Sequence, residues 1–205
     1  MPDKNFGGAT AIFAQGPGYN QRILAKFDVS GELPAITSAR LRMQASTGSG
    51  TDQAFKLYRL TRNWVEGTGD FTMPADGATY NTYGGTNART TPGGDYDAGS
   101  GVAATLTWTS GATAPPVCIE GLEDIGQYWM DNPSENYGLI ILKDTSADSF
   151  RQYAREHRDW PDVETPDRYL ALDIVSEEPV LPIPEPSMMV LVALGSVGAL
   201  VRRRR

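Results

Sequence analysis

The chain has 205 residues, enough for one sizeable domain and a tail, and at 40% hydrophobic and 21% charged it can fill a core, which excludes a disordered chain. Four of its 18 basic residues are the terminal run Arg202, Arg203, Arg204 and Arg205, so the rest of the chain sets 14 cations against 25 carboxylates. An acidic body repels phosphate backbones and argues against nucleic acid as a partner.

The 22 glycines and 14 prolines fall between short apolar runs, the pattern of strands joined by turns. In Gln21 to Asp28, Ile23, Ala25 and Phe27 form an apolar face opposite Arg22 and Lys26. Ala39, Leu41, Met43 and Ala45 alternate with Arg40, Arg42 and Gln44, which predicts a half-buried strand. Phe55 to Leu60 is the next candidate strand, followed by a long loop, Gly67 to Gly101, rich in Gly, Thr, Asn and Asp. A loop of that length is unusual unless it is functional or folded on itself. Val102 to Trp108, Leu139 to Leu142, Phe150 to Ala154 and the stretch around Leu170, Leu172 and Ile174 complete the strands. Gly121 to Met130 alone suggests a helix, with Leu122, Ile125 and Trp129 on one stripe. Seven or eight short strands and one short helix describe an all-β sandwich of two antiparallel sheets. Trp64, Trp108 and Trp129 are expected in its core, and Trp160 at the surface. The single cysteine, Cys118, lies in an apolar run, reads as a small buried side chain, and excludes a disulfide within the chain.

From Glu178 the composition changes. A proline-spaced segment ends in Pro184-Glu185-Pro186, fifteen uncharged residues run from Ser187 to Val201, and the four arginines follow. As a helix the uncharged run would span about 22 Å, short of the ~30 Å hydrocarbon core unless flanking residues or snorkelling arginines help. The expected organisation is a sandwich over 1–175, a Pro-rich linker over 176–186, a hydrophobic transmembrane-type helix over 187–201 and the arginine cluster over 202–205. By the charge rule the arginines stay in the cytoplasm and the body crosses the membrane.

Pro184-Glu185-Pro186, the apolar stretch and the closing arginines together resemble the PEP-CTERM sorting signal of exopolysaccharide-producing Gram-negative bacteria. The resemblance implies export, recognition by an exosortase-type membrane protease, cleavage near the tripeptide, and release or attachment at the cell surface.

The body carries its own resemblance. Gln21-Arg22-Ile23-Leu24-Ala25-Lys26-Phe27-Asp28, Ile36 to Arg42, Trp64-Val65-Glu66-Gly67-Thr68-Gly69, Asp76 to Asn81, Pro92 to Asp97, Tyr128-Trp129 and Asn136 to Leu139 follow the order of landmarks in DNRLRE-type domains. That family implies a jelly-roll sandwich related to carbohydrate-binding modules, hence a binding or structural protein. It also implies an additional strand before the Pro2–Gly7 element, and the sorting signal implies an export signal further upstream.

Chemistry is sparse. His157 is the single histidine, set among Arg155, Glu156, Arg158 and Asp159, and reads as a solvated turn residue. A zinc site cannot be assembled from one histidine and one cysteine. Carboxylates are numerous enough for a glycosidase pair, but no spacing singles one out. Asp95 and Asp97 straddle Tyr96, where their spacing would suit either a hard cation such as Ca²⁺ or two turn caps. Tyr80, Tyr83 and Tyr96 of the long loop, with Trp160, are the candidate glycan-stacking rings. An acidic site would favour neutral glycans, or anionic ones through bridging Ca²⁺. The function expected is an exported, non-catalytic surface or matrix protein whose sandwich binds polysaccharide. Its rivals are a structural envelope component and, behind it, a polysaccharide-degrading enzyme.

Overall fold

In a computed structural model, the described residues are 3–16, 20–29, 35–47, 50–72, 76–108, 115–143, 149–154 and 170–177. His157, Trp160, the apolar run and the sorting motif lie outside them. The strands are β1 (Ala11–Gln15), β2 (Ile23–Ala25), β3 (Ile36–Met43), β4 (Ala45–Thr47), β5 (Gly50–Arg59), β6 (Val102–Trp108), β7 (Val117–Glu120), β8 (Leu139–Lys143), β9 (Ser149–Tyr153) and β10 (Ala171–Ser176), with helix α1 (Glu123–Asp131). Among the described residues every strand pairing is antiparallel.

The strands form sheets in the orders β1-β9-β4, β10-β3-β7 and β2-β8-β5-β6. The first two join where β3 runs into β4 with Gln44 alone between them. At that break Gln152 Oε1 accepts the Gln44 amide proton at 2.6 Å, so a buried side chain replaces the missing ladder bond. Three sheets thus make the two layers that the alternation predicts, one of them bent at Gln44.

Alternation chooses what enters the core. Ala39, Leu41, Met43 and Ala45 face inward to meet Phe55, Leu57, Leu139, Ile141 and Ile23 of the four-stranded sheet. Phe55, Trp108 and Phe150 interlock edge to face with centroids 5.1–5.9 Å apart. Helix α1 buries Ile125 and Trp129, as its stripe predicts. Glu123, in its first turn, accepts the Ala39 amide proton at 3.1 Å and ties the helix to β3. Three strands escape the sequence reading: β1, β4, which separates from the strand read over Ala39 to Ala45, and β7, which overlaps the apolar run around Cys118. Cys118 is a correction, being half-buried rather than enclosed. It pairs with Arg42 across β3 and β7, on the outer face of the sheet.

Candidate functional site: a cationic cavity beside the β2 edge

The described residues of the loop between 61 and 101 fold back on themselves and cover the outer face of the four-stranded sheet around Ile140 and Tyr58. A bridge joins Leu60 to Tyr96 and another joins Thr82 to Ala88. Backbone bonds Val65→Tyr83, Ala78→Val65, Arg89→Asn81 and Gly93→Tyr80 close it internally at 2.6–2.8 Å. Underneath, Ile140 is fully buried although it faces away from the core residues Leu139 and Ile141. Tyr58 lies stacked on Tyr96 at 4.5 Å.

Asn5 fastens this cover to the N-terminal segment. Its Nδ2 donates to the carbonyls of Glu66 (2.7 Å) and Ala78 (2.8 Å), and its Oδ1 accepts from the amides of Gly7 and Gly69 (both 3.0 Å). All four hydrogen-bonding capacities of a buried amide are therefore used. Gly69 is required for that approach, because a Cβ there would sit 2.8 Å from Asn5 Oδ1.

Between the N-terminal segment, β1, β2 and the cover lies a cavity of about 630 Å³. Trp64 and Tyr80 line it, both half-buried, together with Phe6 and Phe13. Its charged lining is Lys4, Arg22, Lys26 and Arg89 against the single carboxylate Glu66. In a chain of net charge −7 this is a local reversal of sign.

Arg22 immediately precedes β2, whose Ile23 and Ala25 are buried. It donates to the Gly93 carbonyl at 2.5 Å, and its Cζ sits 5.1 Å from the Tyr80 ring centroid. Gly93, at φ +91°, makes room, since a Cβ would collide with the guanidinium. Arg89 is 8% exposed; its Nε donates to the Thr79 carbonyl at 2.9 Å, while its Nη1 is buried with no hydrogen-bond partner. Among the described residues neither arginine is ion-paired with a carboxylate. Burial, reinforced by the nearby Arg22 charge, pulls the Arg89 guanidinium down to about 10.

The residues singled out from sequence are distributed unevenly around this cavity. Tyr80 lines it. Tyr83 does not: it is buried, with Arg62 and Arg89 at 5.4 and 5.0 Å from its ring. Tyr96 is committed to Tyr58. Asp95 accepts the amide protons of Thr90 (3.0 Å) and Thr91 (2.7 Å), and Asp97 caps Gly99 at 2.9 Å and pairs with Arg59 at 2.8 Å. Both aspartates thus serve as turn caps, and among the described residues no group of three or more His, Cys, Asp or Glu could hold a metal. Trp64, expected in the core, instead lines the cavity and donates its indole proton to the Tyr137 carbonyl at 2.9 Å. The acidity that argued for neutral glycans does not extend to this site.

Residues 1–91 match the family model of carbohydrate-binding module family 96. That span holds Asn5, Arg22, Trp64, Tyr80 and Arg89, so the cavity is built chiefly from the matched segment. Residues 182–205 match the PEP-CTERM protein-sorting motif, which marks an exported protein processed by exosortase at the membrane. No curated protein and no solved structure matches the chain. Among the described residues no helix is long and apolar enough to cross a membrane.

Proposed function

We propose that this is a non-catalytic cell-surface or matrix protein whose jelly-roll sandwich, over 1–175, binds an acidic sugar unit of a polysaccharide in the Arg22–Arg89 cavity. Its linker (176–186), apolar segment (187–201) and arginines (202–205) then serve as the exosortase-processed tail. One observation carries the binding reading. Two arginines without a carboxylate partner sit in a concave site beside Trp64 and Tyr80, in an otherwise acidic protein. An enclosed guanidinium lacking a counter-charge is costly to the fold, and a ligand carboxylate or sulfate supplies that charge with planar, two-pronged geometry. The rings offer apolar faces to sugar C–H groups.

Calorimetry of the full chain against glucuronate oligomers and their neutral glucose counterparts tests the reading. Micromolar-to-millimolar binding of the acidic series, about −8 to −4 kcal/mol, is expected. It should survive chelator and be lost in Arg22→Gln and Arg89→Gln. Equal affinity for the neutral series, or binding unchanged in both variants, would overturn it. For the tail, alanines in place of Pro184, Glu185 and Pro186 should leave an uncleaved membrane-bound precursor; normal maturation of that variant would refute the sorting role.

A further inference from the structure

Phe71 combines two unfavourable properties. The residue is 44% exposed, and its backbone lies at φ +53°, a region that bulky L residues rarely adopt. Fold stability alone would place glycine or asparagine there. Such strain persists where the surroundings hold it for a purpose.

The surroundings do hold it. Phe71 meets Phe6 and Phe13 nearly perpendicularly, with centroids 4.8 and 5.5 Å away, and those two rings are 6.1 Å apart. Next along the chain, the Thr72 carbonyl accepts the Asn5 amide proton at 2.9 Å, and two residues before Phe71 the Gly69 amide is bonded to Asn5 Oδ1. The clasp that closes the cavity therefore also fixes this ring. Phe6 and Phe13 line the cavity, so Phe71 stands one ring beyond its wall.

Resting on the acidic-sugar reading of that cavity, we propose that Phe71 is a stacking platform for the next sugar of the same chain, so that the module reads at least two consecutive units. A rigid ring with open surface fits the C–H face of a pyranose, and the charged cavity holds the acidic unit beside it. Because the ring is set in place before binding, little ordering is needed on association.

The test compares hexuronate monomers with their tetramers (glucuronate, galacturonate and mannuronate series) by calorimetry on the full chain and on Phe71→Gly and Phe71→Trp. Phe71→Gly removes the ring and relieves the positive φ, so its melting temperature should not fall. In the intact protein a tetramer should bind about tenfold or more tighter than its monomer. Phe71→Gly should abolish that chain-length gain and leave monomer affinity unchanged, while Phe71→Trp retains the gain. A tetramer advantage that persists in Phe71→Gly overturns the platform and leaves the cavity reading intact. Loss of monomer binding at unchanged melting temperature would show that Phe71 shapes the cavity itself, which also overturns the proposal. Failure of the intact protein to bind any hexuronate removes the cavity reading and the platform with it.

Discussion

Around Ile140 the two faces of the β2-β8-β5-β6 sheet are both covered, but by different means, while Ala103, Thr105 and Thr107 on the outer side of β6 stay exposed. The inner face is closed by side chains: Phe55, Leu57, Leu139 and Ile141 pack against the opposite layer. The outer face is closed by a loop that spends backbone hydrogen bonds on itself and lets an asparagine and two arginines lie in partly dry surroundings. Apolar packing is non-directional and holds the layers together wherever volumes match. A hydrogen-bonded cover is directional, and it is the part of the molecule that can position charge. Stability should therefore answer to the inner face and ligand binding to the outer one.

The largest test of that division is Phe55→Ala. The side chain is 1% exposed and meets Trp108 and Phe150 edge to face. A cavity there should cost about 3–5 kcal/mol, measured by urea unfolding. Whatever folded fraction remains should bind glycan with unchanged affinity. A selective loss of affinity would mean that the two faces are coupled.

Asn5→Ala attacks the other face. It orphans two carbonyls and two amides around a buried site, at a cost of about 2–4 kcal/mol. The damage should be local first, with amide exchange accelerating over residues 64–72 and 76–83 before the sandwich strands respond. Uniform acceleration across the sandwich would show that cover and core unfold as one.

How far these faces could be read from sequence follows from their physics. Period-two alternation in Ala39–Ala45, and the helical stripe of Leu122, Ile125 and Trp129, report packing against an apolar partner, and both lie where the pattern places them. The same alternation correctly turns Arg22 away from Ile23, but it cannot say whether the far side meets water or a folded loop. One clue was present: Leu139, Ile140 and Ile141 are consecutive, and three buried residues in a row require cover on both faces. Arg89 and Phe71 had no such signal, since neither belongs to a periodic segment and their roles depend on loop hydrogen bonds. Asn5 lies within the Pro2–Gly7 element of the family resemblance, but nothing in the sequence marks its four partners. Trp64 was misplaced because a tryptophan next to a strand reads as core until a cavity claims its ring.

Arg89→Met separates stability from binding within the outer face. The folded chain gives up this proton near pH 10, well below the pH at which the unfolded chain does. Between those values the unfolded state holds more protons, so the burial cost is present in full below pH 10 and is relieved above it. Replacing the cation should therefore stabilise the protein at neutral pH by about 1–2 kcal/mol, net of the lost bond to the Thr79 carbonyl. Affinity for an acidic glycan should fall about tenfold to a hundredfold. In the unaltered chain, binding should stay level from pH 6 to 9 and decline as pH rises through about 10, where Arg89 loses its charge. A variant that melts lower and binds as before would show that Arg89 is structural.

The smallest effect expected is at Asp95. Its carboxylate accepts the Thr90 and Thr91 amide protons, holding the turn that leads to Gly93 and Gly94. Because the group lies near the surface, Asp95→Ala should cost only about 1 kcal/mol in a thermal or urea melt. It should weaken glycan binding slightly, since the Gly93 carbonyl anchors Arg22. The same measurement distinguishes a cap from a metal ligand. A cap's contribution is indifferent to EDTA, whereas a carboxylate holding Ca²⁺ would make the intact protein's melting temperature fall with chelator and recover with added calcium. With both oxygens of Asp95 turned to backbone amides, and those of Asp97 to Gly99 and Arg59, the intact protein and Asp95→Ala should each melt at the same temperature with and without EDTA. A calcium-dependent shift in the intact protein that vanishes in Asp95→Ala would overturn the capping role and return the loop to metal chemistry.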